Sequence, residues 1–246
     1  MAHYFISDLH LEARHPKMAE GFFGLLKSLK EAGAQATESL YILGDFFETW
    51  LGDDYQDELS ERIKHSLKQL SDSGIAVYFM HGNRDFLMGE QFAKECGAIL
   101  LDEGTVITIG DDTALLMHGD SLCTRDVEYM KVRQMLRNPL WKADFLSKPM
   151  EARVAFAAHA RAESQSSQQM KANDIMDVTQ DEVDNVMTNA GVSRLIHGHT
   201  HRPNTHLWEF NGEQRERIVL GDWDDTQGWM IRWEKDSAPQ LSKFSF

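Results

Sequence analysis

Five times along this chain a short apolar run ends in a cluster of histidine, carboxylate, amide and glycine. Tyr4-Phe5-Ile6 leads to Asp8-Leu9-His10, Leu40–Leu43 to Gly44-Asp45, and Ile75–Met80 to Gly82-Asn83-Arg84-Asp85. Thr113–Met117 leads to His118-Gly119-Asp120, and Arg194–Ile196 to His197-Gly198-His199-Thr200-His201. Apolar runs this short read as buried strands. In open α/β sheets, groups that follow the strands meet beyond their carboxyl ends. Clusters spread over almost the whole chain can therefore converge on one site, provided the fold is built on sheets.

The segments between the runs support that. Met18, Phe22, Leu25, Leu26 and Leu29 fall at helical spacing and Gly33 follows as a stop. Leu59, Ile63, Leu67 and Leu70 mark a second helix, ended by Gly74. Thr179 with Glu182 has the form of a capping box for a helix running to Ala190 and stopped by Gly191. Residues 205–210 and 216–220 alternate with period two around Asn211-Gly212, a hairpin turn. Strand and helix alternate early and strands dominate late, which predicts an α/β sandwich with mixed sheets.

Residues 125–175 interrupt the rhythm. They hold nine Lys/Arg against six Asp/Glu, a net of +3 in a chain of −14, and their pattern is helical. The expected organisation is a core of residues 1–124 and 176–246 with 125–175 inserted as a helical cap. Three uses fit the insertion: a plain helical cover, an apolar pocket lined by Trp141, Phe145, Leu146, Val154 and Phe156, or a basic surface for anionic headgroups.

The acidic balance, with a pI near 5.2, argues against nucleic acid as a partner. Cys96 and Cys123 are too few for a disulfide framework and fit a reducing compartment. The start, MAHYFISDLHLEARH, lacks the pattern of a signal peptide, and no apolar run reaches 18 residues. The cytoplasm is the expected location, and no protein partner is expected.

Asp8, His10, Asp45, Asn83, His118, His199 and His201 are candidate metal ligands. The i, i+2 spacing of Asp8/His10 and His199/His201 puts both side chains on one face of an extended segment. Imidazole, carboxylate and amide together suit Mn, Fe, Zn or Co. Seven ligands exceed what one open site needs and suit two ions sharing a carboxylate. Such pairs clamp phosphoryl groups and acidify water.

In this order DLH, GDFFE, GNRD, HGD and GHTH resemble the five blocks of the calcineurin-like metallophosphoesterases. The resemblance spans about 200 of the 246 residues. It implies a four-layer αββα sandwich, two mixed sheets packed face to face between helices. YILGDFFETWLGDD, HGNRDFL, MHGDSLCTRD, IMDV and IHGHTHRP are similar to the branch acting on UDP-2,3-diacylglucosamine in bacterial lipid A synthesis. That branch releases UMP and 2,3-diacylglucosamine 1-phosphate, usually with Mn²⁺. The resemblance therefore implies two Mn²⁺ per chain, a UDP-linked diacylated glucosamine lipid as substrate, and peripheral attachment to the cytoplasmic face of an anionic inner membrane.

Position by position, the resemblance assigns one ion to Asp8, His10, Asp45 and His201, and the other to Asp45, Asn83, His118 and His199. Substrate contacts fall on Asn83, Arg84, Asp126, Ser164, Gln168, Lys171 and His199. Gln168 stands where the branch often has Asn. Arg84 and the bridging Asp45 are the candidate catalytic residues. Arg84 stands where the wider family usually has a histidine able to protonate a leaving alkoxide. Arginine does not donate its proton but binds phosphate oxygens well, which fits a sugar phosphate leaving group.

The remaining polar residues have plainer readings. His3, His15, His65, His159 and His206 show no partner pattern. His197 either orients a ligand or is structural. Asp85 and Asp120 read as backbone-bonding or capping residues. Glu48, Asp53 and Asp54 read as a solvated acidic loop, and Met130, Met135 and Met150 as core packing. A general phosphodiesterase and a non-catalytic scaffold of the same fold are the alternatives. Activity on bis-p-nitrophenyl phosphate and bound metal separate them.

Overall fold

The computed structural model of the chain describes residues 1–170 and 177–246, with side chains described outside 163–176. The first half alternates: β1 (Ala2–Ile6), α1 (Pro16–Ala32), β2 (Thr37–Leu43), α2 (Glu58–Asp72), β3 (Ala76–Met80), α3 (Glu90–Cys96) and β4 (Ala98–Leu101). A hairpin follows, β5 (Thr105–Ile109) and β6 (Asp112–Leu116), and then α4 (Val127–Leu136), α5 (Pro139–Leu146) and α6 (Met150–Met170). The chain ends with α7 (Gln180–Ala190), β7 (Arg194–His197), β8 (Asn204–Phe210), β9 (Glu213–Val219), β10 (Gln227–Glu234) and β11 (Gln240–Ser245).

The strands form two sheets, β11-β10-β1-β2-β3-β4 and β5-β6-β7-β9-β8. Both are mixed: β1 to β4 run parallel in the first, as do β6, β7 and β9 in the second. Side-chain alternation divides the core into three leaves. Ile6, Leu40 and Ile42 pack outward on Phe22, Leu26, Ile63 and Leu67 of α1 and α2. Phe5, Tyr41, Leu43 and Trp233 face Leu116, Ile196 and Ile218 of the second sheet. Leu115 and Leu195, the alternate residues, pack on Val183 and Met187 of α7. The result is the expected helix-sheet-sheet-helix sandwich.

The helix signals hold with one exception. Pro16 sits at the start of α1, and the Gly33 amide closes on the Leu29 carbonyl at 3.1 Å with φ 77°. α7 ends at left-handed Gly191, but the expected capping box does not form. Thr179 instead receives a hydrogen bond from the Thr124 hydroxyl at 2.8 Å. Asn211 and Gly212 both have positive φ, as a two-residue hairpin turn requires.

α4, α5 and α6 carry the basic segment, and many of its charges point inward. Arg137 donates to the Gly82 carbonyl at 3.0 Å, Lys142 to that of Phe86 at 2.9 Å, and Arg153 to that of Leu51 at 2.7 Å. Phe145 is buried in the first core leaf beneath Trp141. The core-packing reading of the methionines is wrong: α4 buries no residue and Met135 is exposed, while Met130 and Met150 are half-buried. The helix uses polar rather than apolar contacts to hold its place.

Candidate metal centre

Each of the five polar blocks follows a strand end: β1, β2 and β3 in the first sheet, β6 and β7 in the second. Asp8, His10 and His201 offer donor atoms within 4.8 Å of one another, and so do Asp45, His118 and His199. Asp45 lies between the two triads. Its Oδ1 is 3.5 Å from His118 Nε2 and its Oδ2 is 3.9 Å from His10 Nε2. Asn83 Oδ1 is 3.1 Å from His118 Nε2, and the Nε2 atoms of His10 and His201 are 3.3 Å apart. All seven residues singled out in the sequence therefore meet at one edge of the sandwich.

The backbone bends sharply to present them. Asp8, His10, Asp45, His199 and His201 all have φ between 48° and 68°. Non-glycine residues adopt this region rarely, and at functional sites it is held by surrounding structure. Here the Asp8 amide donates to Gly44 O at 3.1 Å and the His10 amide to Asp45 O at 2.9 Å. Two glycines leave room for the carboxylates. A Cβ on Gly82 would stand 2.2 Å from Asp45 Oδ1, and one on Gly198 2.2 Å from Asp8 Oδ2.

The donor set fits divalent cations. Asp8 Oδ2 accepts from the Ser7 hydroxyl at 2.5 Å and the His199 amide at 2.9 Å, whereas buried Asp8 Oδ1 has no hydrogen-bond partner. His118 Nδ1 donates to Leu43 O at 2.8 Å, which leaves Nε2 as the atom facing the cluster. Burial alone would push the His118 pKa down, but Asp45, then Asp8 and Asp120, push it up to about 9. His201 is likewise raised against burial by Asp8, while burial and neighbouring His118 push His199 down to about 4. Protonated imidazoles here balance buried carboxylates, and a cation would displace those protons.

The other residues sort as follows. Asp85 accepts from the Gly82 and Phe46 amides at 2.7 and 2.8 Å, and burial with nearby Asp45 raises its pKa to about 6. His197 bonds to Gly198 O at 2.8 Å and lies 3.3 Å from Arg217 Nη1, away from the donor atoms. Asp120 binds side chains rather than backbone, taking the Tyr129 hydroxyl at 2.6 Å and Arg133 Nε at 2.9 Å.

Asn83, Arg84, Asp126 and His199 line the groove over the cluster. Asp126 also caps α4 through the Tyr129 amide at 3.1 Å. The Ser164 and Gln168 side chains, and all of Lys171, lie outside the described residues.

The solvated-loop reading holds for Asp54, which is exposed, and is overturned for Glu48 and Asp53. Glu48 is buried, with Oε2 3.0 Å from His10 Nδ1 and Oε1 2.5 Å from Arg161. Asp53 takes the Gly89 and Phe92 amides at 2.9 and 3.0 Å, and Asp54 pairs with Arg153. Arg161 and Tyr129 are further groove residues that the sequence did not single out. The available signal for Glu48 was its place three residues after Asp45 in GDFFE.

A helix-sheet-sheet-helix sandwich with imidazole and carboxylate donors massed on one edge defines the metallophosphoesterase class. The family model of calcineurin-like phosphoesterases matches residues 1–203, and the chain belongs to that family. Its members use divalent metal, and two donor triads are present here for it. Curated relatives cover nearly the full length. A UDP-2,3-diacylglucosamine hydrolase of Chromohalobacter salexigens is 50% identical over 98% of this chain and 96% of its own. Hydrolases of the same name from Cellvibrio japonicus and Pseudomonas aeruginosa are 52% and 49% identical, over 92% and 98% of each chain.

Proposed function

We propose that this chain hydrolyses the pyrophosphate of UDP-2,3-diacylglucosamine, releasing UMP and 2,3-diacylglucosamine 1-phosphate, in lipid A synthesis. Beside the close relatives, one observation carries this reading: the groove over the donor cluster opens into an apolar cavity. The two share Glu48, Asn83, Arg84, Tyr129 and Arg161, and the cavity is walled by Trp50, Leu136, Trp141, Phe145 and Phe156. A soluble phosphodiester has no use for such a space; a diacyl sugar phosphate fills it. Hydrolysis in ¹⁸O-water tests the chemistry. Label appears in UMP if water attacks the α-phosphorus, and in the lipid phosphate if that assignment is wrong.

Asp8, His10, Asp45 and His201 would hold one Mn²⁺, and Asp45, Asn83, His118 and His199 the other. When bound, such a pair supplies Lewis acidity and a water acidic enough to act near neutral pH. Asp45 joins the two triads and also accepts the Arg84 amide at 2.8 Å, so one carboxylate fixes both the donors and the loop beside them. Arg84 Nε is buried with no hydrogen-bond partner, a donor suited to an anionic phosphate. Asp126, Ser164, Gln168 and Lys171 would hold the sugar phosphate half.

Arg84→Ala is expected to lower kcat/KM on the UDP-lipid by about 10²-fold, the scale for one lost charge-stabilising donor. Arg84→His should not restore it. Full pyrophosphatase activity in the histidine variant would refute the role given to the guanidinium.

Residues 125–175 act in this reading as a cap over the acyl chains and as the membrane-facing surface, on the cytoplasmic side of the inner membrane. No helix among the described residues is long and apolar enough to cross a membrane. Leu140 is 81% exposed, and Val132, Met135 and Val154 are also exposed on the same three helices. Because Arg133, Arg137, Lys142 and Arg153 are turned to the core, apolar side chains rather than charge would drive attachment. Leu140→Glu should weaken co-sedimentation with phospholipid vesicles about tenfold, the value of burying one leucine. Unchanged sedimentation would remove Leu140 from the contact.

A further inference from the structure

A second cleft opens off the same groove. It shares Thr200 and Arg202 with the groove and shares no lining residue with the apolar cavity. Its floor is the outer face of the β8–β9 hairpin, where His206 stands opposite Arg217 and Asn204 opposite Val219. Ile218, the alternate residue, faces the inter-sheet core, so Arg217 points to the outside of that sheet.

Arg217 is only 7% exposed. Its Nη1 lies 3.3 Å from His197 Nε2, and His197 Nδ1 donates to Gly198 O, which leaves Nε2 to accept. Arg217 Nε has no hydrogen-bond partner, and neither has the buried Thr200 hydroxyl, on the residue between His199 and His201. Buried polar atoms are nearly always satisfied. Two unsatisfied ones lining a cleft that joins the groove mark a place where a ligand completes the bonding.

We infer that this cleft receives the uridine arm of the substrate and selects its base. The inference rests on the pyrophosphatase reading. A UDP-lipid leaves the scissile bond in two directions, one apolar and one polar, and among the described residues the groove adjoins an apolar cavity and a polar cleft. Uracil presents two carbonyl oxygens, which suit guanidinium and imidazole donors. Adenine turns an amino donor where uracil has a carbonyl, and so sets donor against donor. The ribose hydroxyls match Thr200 and Asn204.

Calorimetric titration of the Mn²⁺-loaded protein with UMP, AMP and inorganic phosphate tests this. The unmodified protein should bind UMP at least about tenfold tighter than AMP, the scale of one charge-assisted hydrogen bond. Arg217→Met should abolish the preference while phosphate affinity changes less than about twofold. His206→Ala, at a half-exposed position, should reduce the preference severalfold, and decides the matter if the Arg217 variant fails to fold. Equal binding of UMP and AMP by the unmodified protein, or an intact preference in His206→Ala and in any folded Arg217→Met, overturns the inference. If the UDP-lipid is still hydrolysed, only the cleft assignment falls. If the unmodified protein does not hydrolyse the lipid, the pyrophosphatase reading falls, and the UMP preference still judges the cleft.

Discussion

Replacing Asp45 by alanine should lower turnover of the UDP-lipid on the order of 10⁴-fold, the scale at which an interdependent catalytic unit fails when one member is removed. Its carboxylate spans both donor triads, with oxygens 3.5 Å from His118 Nε2 and 3.9 Å from His10 Nε2. The same substitution frees the Arg84 amide from its 2.8 Å bond. The fold should survive, because Asp45 and Asp85 are both buried and Asp85 is held up at about 6 by burial and by Asp45 itself. Removing one carboxylate relieves that repulsion. Elemental analysis should show lost metal while circular dichroism and Tm stay near the parent. Turnover within tenfold of the parent would sink the two-ion account.

Gly82→Ala should be nearly as damaging although it adds one methyl group. Its Cβ would meet the Asp45 amide nitrogen and Oδ1 at 2.2 Å each, so the loop or the carboxylate must move. Displacing a catalytic group by about 1 Å costs about 10²-fold. Gly198→Ala does the same to Asp8 and Ser7, again at 2.2 Å. Gly24→Ala is the control: its Cβ meets nothing within 4 Å, and in the exposed middle of α1 it should stabilise by about 0.5–1 kcal/mol. The comparison is read from kcat and from thermal melts. A Gly82→Ala protein with parental kcat would show that the crowding has no catalytic consequence.

The donor cluster was legible because each block follows a strand buried on both faces, where an apolar run stops abruptly at a polar residue. Register then did the rest: β1, β2 and β3 are parallel, so Asp8, Asp45 and Asn83 emerge at one edge. The half-buried strands were harder. β4 and β5 bury only Ile109, and β10, which pairs with both β1 and β11, was not located by the period-two pattern. Composition also misjudged where charge goes. Residues 125–175 look like a basic surface, yet Arg133 meets Asp120 and Glu103, and Arg153 meets Leu51 O and Asp54. Glu48 looked solvated for the same reason: the arginine that covers it, Arg161, comes from α6. Pairings between distant segments leave no local trace.

The left-handed residues at Asp8, His10, Asp45, His199 and His201 each carry about 1–3 kcal/mol of conformational cost. Main-chain bonds such as Asp8 to Gly44 and Leu11 to Phe46 sustain that shape from within the polypeptide. The shape of the donor edge is thus written into the main chain: the turns that carry the donors are held by bonds that need none of those donor side chains.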